Sequence, residues 1–438
     1  MYERVIYWFK RDLRIEDNRA FYETCAKASE IIPIFIFVPS LLDRFRFWGE
    51  RLGFLIDCLK ALDRDINKKG GLFYCFYGEP KDVLSYLIER YKVQAIFSIK
   101  SLSYTDEDME RKVITLCKEK GISYHAFNDD FLSDLESIPY RKVFSHFYKE
   151  WKKYLSLKLY PAPERINVPR LDEPTLELAI KELRYRENPF WKSDFAKMRL
   201  ESFDFKSYEG TRNRLDIDGS SKLSPYIRFG VVSLRKIYIK ALELAGEDCQ
   251  FIKELAWREF WYHIKNNFPE FRELEFQERH RGLKWLKDEK LMRAFTEGET
   301  GYPIIDASIR QLKLEGWIHN RARMIVASFL TKDLLIDWRE GERFFGEHLI
   351  DYDDVVNIGN WQWNASVGPD PKPLRIFNPI IQARKFDPDG TFIKKYLPEL
   401  RALPPQMLHD PLRFTLSYHR PIVNHYERVI AARNMFYK

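Results

Sequence analysis

Residues 350–368 crowd Asp351, Asp353 and Asp354, then Asn357, then Trp361 and Trp363 into one short stretch. A buried carboxylate needs a partner, and a buried indole needs one for its ring N–H. The stretch therefore suits the wall of a polar, aromatic-rich cavity. A tryptophan-rich core segment with solvated acids at a helix start would read the same way. At 254–263, Glu254, Trp257, Arg258 and Trp261 fall on one side of a helix. An indole, a carboxylate and a guanidinium on one face can hold a base-like ligand by stacking and hydrogen bonding. A Glu254–Arg258 salt bridge on a solvated face uses the same spacing. Gly219-Ser220-Ser221 offers backbone N–H groups and hydroxyls suited to a phosphate or diphosphate, or else a plain capped loop. Two basic stretches flank these groups: Arg279, Arg281, Lys284, Lys287, Lys290 and Arg293 around Trp285, and His-Asn-Arg-Ala-Arg-Met at 319–324. They suit a phosphate-tracking surface or a solvated basic face. No nucleophile triad, metal set or Walker loop stands out, and His263 and His319 lack an evident nucleophile partner.

Periodicity assigns the elements that must position these groups. Apolar runs at 5–9, 31–38, 72–76, 95–99 and 123–127 alternate with helical spacing at 51–66, 82–91 and 106–119. Continuous apolar strands between helices predict a parallel sheet covered on both sides over residues 1–130, with ligands beyond the carboxyl ends of its strands. Prolines at 139, 161, 163, 169, 174 and 189 interrupt residues 131–205, which read as a surface connector with some helix near 144–157. From 206 to 438 the pattern is helical, for example at 233–244, 250–266, 304–315, 321–330 and 340–347. The expected fold class is α/β: a Rossmann-like parallel domain followed by a large all-α domain that holds the chemistry.

The 438 residues are 45% apolar and 31% charged, a soluble composition large enough for two or three domains. The 16% aromatic content suits flat ligands or stacked bases as well as core, and the net charge of +7 is compatible with nucleic acid. Five scattered cysteines without a CxxC pair argue against zinc or disulfide frameworks and for a reducing compartment. No long uncharged run predicts a membrane span, and the amino terminus does not read as a signal peptide.

Several segments together resemble the DNA photolyase/cryptochrome family, over almost the whole chain. They are Trp-Phe-Lys-Arg-Asp-Leu-Arg-Ile-Glu-Asp-Asn (8–18), Lys-Leu-Ser-Pro-Tyr (222–226), Trp-Arg-Glu-Phe (257–260), Thr-Gly-Tyr-Pro-Ile-Ile-Asp-Ala (300–307), the 319–324 stretch, Gly-Asn-Trp-Gln-Trp (359–363) and Arg-Ile-Phe-Asn-Pro (375–379). The resemblance is closest to class I cyclobutane pyrimidine dimer photolyases.

The resemblance implies an N-terminal antenna domain and a helical domain that folds around FAD. It implies flavin contacts from Tyr208, Ser220, Ser221, Lys222, Leu223, Ser224 and Arg258. Asp351 and Asp353 would flank the flavin and ribose, Arg323 would pair with Asp351, and Asn357 would face flavin N5. Glu254, Asn320 and Met324 match dimer-contacting positions, and Trp257 and Trp363 would wall the lesion. Arg212, Arg321 and Gln382 would contact the DNA backbone or the lesion flank. The implied reaction is light-driven splitting of the dimer by one electron from reduced flavin, with Glu254, Asn320 and Asn357 as its key side chains. The damaged pair must leave the stack, and photolyases are a standing example of such extrusion. Trp361, Trp338 and Trp285 fall on the family's electron relay. His319-Asn320 lacks the two vicinal histidines of (6-4) photolyases, which favours the cyclobutane substrate.

Pterin-binding members place Asn-Glu where this chain has Thr105-Asp106, which argues against a folate antenna and leaves three alternatives, a deazaflavin, a second flavin or no antenna, the first two favoured over folate. Arg11, Asp12 and Arg51 are the candidate pocket residues. The alternative is a cryptochrome-like photoreceptor that binds FAD without repair. Asn357, where plant-type receptors place Asp, and a chain ending at Lys438 without a long extension favour repair. A cofactor-free nucleic-acid module would leave the Asp351/Asp353/Asn357 group unexplained. The expected protein is an intracellular monomer acting on UV-damaged DNA, with no metal and no membrane contact.

Overall fold

The computed structural model describes residues 1–44, 49–370, 372, 374–414 and 418–437. The chain forms two compact units. One comprises Met1–Ile138, Glu150–Phe203 and Lys222–Glu247, the other Pro139–Lys149, Asp204–Ser221 and Asp248–Lys438.

The first unit is built on a five-stranded parallel sheet of β1 (Tyr2–Trp8), β2 (Ala28–Phe37), β3 (Tyr74–Tyr77), β4 (Ala95–Ile99) and β5 (Ser123–Phe127), in the order β3-β2-β1-β4-β5. Helices Arg19–Lys27, Gly49–Lys68, Pro80–Tyr91 and Tyr104–Lys120 make the crossovers. Ile6, Trp8, Ile32, Ile34, Ile36 and Ile96 are among the side chains of its core. These are the apolar runs expected from sequence, each within a few residues.

The strand order reverses between β1 and β4, where such sheets open a ligand crevice. Here the strand ends carry a network of paired charges. Lys10 Nζ donates to Ser101 Oγ (2.8 Å) and Glu110 Oε2 (3.1 Å). Arg11 pairs with Asp130 (2.9 Å) and Asp106 (3.3 Å). Asp12 accepts from the Tyr7 hydroxyl (2.5 Å) and from Asn18 (2.9 Å). The antenna candidates Arg11, Asp12 and Arg51 are all buried.

The two units do not follow the expected stretches 1–130, 131–205 and 206–438. The helix Leu234–Ala245, expected in the all-α domain, belongs to the sheet unit. Its buried Arg235 pairs with Asp17 (3.0 Å) and Asp129 (2.7 Å), long-range ion pairs that leave no periodic trace in sequence. Conversely, 139–149, expected in the connector, belongs to the helical unit.

That segment is held by the helix Gln250–Asn267. The Arg141 N–H donates to His263 Nε2 (2.9 Å), and the Tyr140 and Phe147 rings lie 5.8 and 5.0 Å from the imidazole. The bond requires an unprotonated Nε2. Burial first, then the nearby Arg141, brings His263 down to about 4 from 6.5. The unfolded chain thus takes up this proton before the folded one does. Stability should be full above about pH 6.5 and fall by up to ~3 kcal/mol as pH drops toward 4. Melting temperatures across that range should slope less in His263→Gln; an unchanged slope would remove His263 from the account.

Candidate flavin and lesion site

The helix Asp354–Asn364 begins at Asp353, whose Oδ1 caps it by accepting from Val356 N (3.1 Å) and whose Oδ2 accepts from the Tyr262 hydroxyl (2.6 Å). Two residues earlier, Asp351 Oδ2 accepts from Arg323 Nη2 (2.8 Å), while Arg323 Nε donates to the Ile318 carbonyl. One cleft is lined by Arg323, Asp351, Asp353, Asn357 and Trp361. Of the residues singled out in that stretch, Asp351, Asp353, Asn357 and Trp361 line this cleft, whereas Asp354 and Trp363 are not in its lining. Arg258 joins the set through its neighbour, with its guanidinium 5.5 Å from the Tyr262 ring.

Asn357 lies one turn into this helix. Its amide nitrogen donates to the Glu342 carbonyl (3.1 Å) and to Glu342 Oε1 (3.0 Å). The carbonyl can only accept, so the nitrogen must face it and the amide oxygen must face away. Glu342 was missed in the sequence, where it is one acid of several on an amphipathic helix. Burial raises its carboxyl above the ordinary value, against the pull of the Asn357 and Tyr352 bonds.

The loop expected to meet phosphate divides between the units. Gly219 presses on the short helix Tyr208–Thr211, and an added Cβ would sit 2.7 Å from Thr211 Cβ. This brings Ser220 and Ser221 beside the helix of Tyr208. Lys222, Leu223 and Ser224 belong to the sheet unit, with Lys222 in the left-handed region at φ 52°.

The lesion candidates form two groups. Trp257 and Trp363 meet at 5.1 Å and 76°, making two walls of an apolar corner. Arg375 lies 5.5 Å from the Trp363 ring. Behind Trp257, Phe144 stacks at 3.7 Å and 4°. Phe144 was not read as a site residue, although Phe144, Phe147, Tyr148 and Trp151 share a helical spacing that marks a buried face. In the second group, Glu254 Oε1 takes Arg212 Nη1 (2.6 Å) and Gln250 Nε2 (2.7 Å). Arg321 donates to Asn213 Oδ1 (2.7 Å) and lies 4.4 Å from the Phe386 ring. Burial and then Arg212 bring Arg321 down to about 10. Asn320 is exposed at the start of the helix Asn320–Ser328, with Met324 one turn on. Gln382 shares the helix Pro379–Phe386 with Phe386, and its buried Oε1 has no hydrogen-bond partner.

The relay candidates are linked by backbone rather than by ring contact. Trp361 lies against Gly341, where an added Cβ would be 2.1 Å from its ring. Trp338 begins the same helix, Trp338–His348. A bridge between Leu286 and Ile336 brings the backbone beside Trp285 to that helix's start. Trp285 is half-buried, with its ring 6.0 Å from Phe436.

Residues 5–167 match the family model for DNA photolyase, and residues 251–438 match that for the FAD binding domain of DNA photolyase. A deoxyribodipyrimidine photo-lyase from Synechococcus sp. is 35% identical over 460 residues, covering 96% of this chain and 94% of its own length. The chain belongs to the DNA photolyase family. It is a flavoprotein lyase of DNA repair, and FAD is its cofactor. An archaeal photolyase from Sulfolobus tokodaii, solved with two FAD molecules, shares the fold at a TM-score of 0.90 and 32% identity, over 99% of each chain. A cryptochrome from Synechocystis sp. does so at 0.89 and 26% identity, also over 99% of each.

The photolyase cleft fits a flavin on its own chemistry. Asp351 Oδ1 is buried without a hydrogen-bond partner, although its other oxygen is ion-paired. A lone buried carboxylate oxygen is costly and calls for a donor from a ligand. Asn357 offers an amide oxygen, and Arg323 a guanidinium that is part-exposed. Among the described residues no group of three His, Cys, Asp or Glu could hold a metal ion, and no helix is long and apolar enough to cross a membrane.

Proposed function

We propose that this photolyase splits cyclobutane pyrimidine dimers in UV-damaged DNA under blue light. The supporting observation is the Trp257/Trp363 corner, an apolar V on the same two helices that carry Glu254 and Asn357. A dimer turned out of the stack presents two saturated, non-planar rings, which suit an apolar corner better than a flat stacking slot. Glu254 and Asn320 supply polar contacts to the pyrimidine edges, and Gln382 Oε1 accepts from the lesion flank. Arg212 and Arg321 meet phosphate, where their mutual repulsion is relieved. FAD, when bound in its reduced state, supplies the electron that opens the dimer and receives it back. With its nitrogen fixed by Glu342, Asn357 would present its amide oxygen to a bound flavin. An Asp there would set two carboxylates against each other, so the Asn–Glu pair favours repair over the photoreceptor reading. Tyr208, Ser220, Ser221 and Arg258 would hold the remainder of the cofactor, with Asp351 and Asp353 at flavin and ribose.

Trp361, Trp338 and Trp285 form the route by which oxidised flavin is reduced in the light. A second flavin is the favoured antenna, in keeping with the two FAD molecules of the archaeal relative. The enzyme acts as an intracellular monomer.

The test is turnover on a thymine-dimer oligonucleotide with chemically reduced protein, in blue light and in the dark. Light-dependent recovery of intact thymines is expected. Flavin absorbance with tight DNA binding but no recovery would favour the cryptochrome-like reading. Glu254→Ala removes a charged hydrogen-bonding group and should lower repair roughly 10- to 100-fold, with Asn357→Ala also impaired. Near-normal repair by both would sink the site assignment.

A further inference from the structure

Trp338, the middle tryptophan of the relay, has a charged neighbour. Trp338 is buried, and its indole N–H points at Glu275 Oε1 (3.4 Å). Glu275 is itself buried and accepts from Arg339 Nη1 (2.9 Å). The Arg339 guanidinium lies 4.6 Å from the Trp338 ring centre and also donates to Asp337 (3.2 Å). Arg281, which donates to the Glu275 carbonyl (3.0 Å), is offset by Glu278 (3.6 Å). Glu275 and Asp337 together outnumber Arg339, so the shell around Trp338 is net negative. Among the described residues, no carboxylate bonds the indole N–H of Trp361 or Trp285.

One electron taken from tryptophan leaves a ring cation with much of its positive charge toward the N–H. A carboxylate at that N–H stabilises the cation, and a guanidinium on the ring face opposes it. Glu275 should win. Its side chain is 6% exposed against 34% for Arg339, so water screens it less. It also sits at the N–H itself, whereas the Arg339 charge is divided between Glu275 and Asp337.

We propose that Glu275 is a positioning residue for charge: it makes Trp338 easier to oxidise than Trp361 and so gives the relay its outward direction. In the step it assists, the Trp361 radical cation, formed by photoexcited oxidised flavin, takes one electron from Trp338. Trp361 returns to neutral and Trp338 becomes the cation. No bond breaks, and the proton stays on the Trp338 nitrogen. The inference rests on the relay reading of the preceding subsection.

The experiment uses FAD-loaded full-length protein carrying Trp285→Phe, so that the hole stops at Trp338, and follows the tryptophanyl radical after a laser flash. Glu275→Gln keeps an acceptor for the N–H but removes the charge. The radical should return through Trp361 about tenfold faster. Arg339→Gln removes the opposing charge and should lengthen the lifetime. Opposite signs are the signature, because simple loosening of the helix start would move both variants the same way. Equal lifetimes in all three proteins, or shifts of one sign, would overturn the role of Glu275. Trp338→Phe in the otherwise native chain separates the two ideas: an undiminished radical yield there would mean that the relay itself is wrong. In the dark, the indole N–H resonance lost in Trp338→Phe should shift in Glu275→Gln. A resonance that stays put would show that the carboxylate does not engage the indole.

Discussion

Replacing Trp361 by Phe is expected to stop light-driven reduction of bound oxidised flavin while dimer splitting by chemically reduced protein stays near normal. Trp361 lines the cleft with Asn357 and Asp351, and its other side rests on Gly341 of the Trp338 helix. It is the one relay ring that touches both the cleft and that helix. Phe preserves most of the packing but is far harder to oxidise. An added barrier of only ~3 kcal/mol slows a step roughly 100-fold, so the flash-induced radical should nearly vanish. Repair needs no electron from this ring once the flavin is reduced. A parallel loss of photoreduction and repair would mean that Trp361 shapes the cleft rather than conducts.

The second large effect is structural and is expected at Gly359. This residue lies between Asn357 and Trp361, where an added Cβ would come within 2.3 Å of Trp261 Cδ2. Alanine in a helix interior ordinarily gains about 1 kcal/mol over glycine. Here the clash is with ring carbons of a buried indole that also packs on Phe260 and Trp363. Overpacking of this kind costs about 1–3 kcal/mol and outweighs the propensity gain. Gly359→Ala should therefore melt a few degrees lower and lose flavin on gel filtration, and Gly359→Leu should purify colourless. Since this glycine sets the spacing of the helices bearing Trp257 and Trp363, lesion affinity should fall with flavin content. A Gly359→Ala protein with unchanged melting and full flavin would show that the two helices can separate freely.

What was legible in the sequence was periodic or local. The strands could be read because parallel strands covered on both sides are continuous apolar runs. The Asp351–Trp363 stretch could be read because its chemistry is compressed into a few turns of chain. Long-range partnerships could not. Arg235 with Asp17 moves a helix into the other unit and Glu342 orients Asn357, both without a local pattern, and the helical spacing at Phe144 marks a buried face without naming Trp257 as its partner. Residues 139–149 looked like connector because their aromatic side chains serve a helix more than a hundred positions away. The resemblance supplied roles for Asn320, Arg321 and Gln382 that residue types alone would not have assigned. It gave no hint of the acid at the Trp338 N–H.

The return of 139–149 to the helical unit also has a consequence for synthesis on the ribosome. Phe144 and Phe147 emerge well before Trp257, Phe260 and His263, against which they pack. At ordinary elongation rates that wait lasts roughly 6–20 s. During it a nascent amphipathic helix has its aromatic face bare, in a chain whose sheet unit is also unfinished, because Leu234–Ala245 has yet to appear. Neither unit can close early, because each takes in residues that emerge late. A gene cut near residue 205 would yield a helical fragment whose Trp257 never receives its stacking partner.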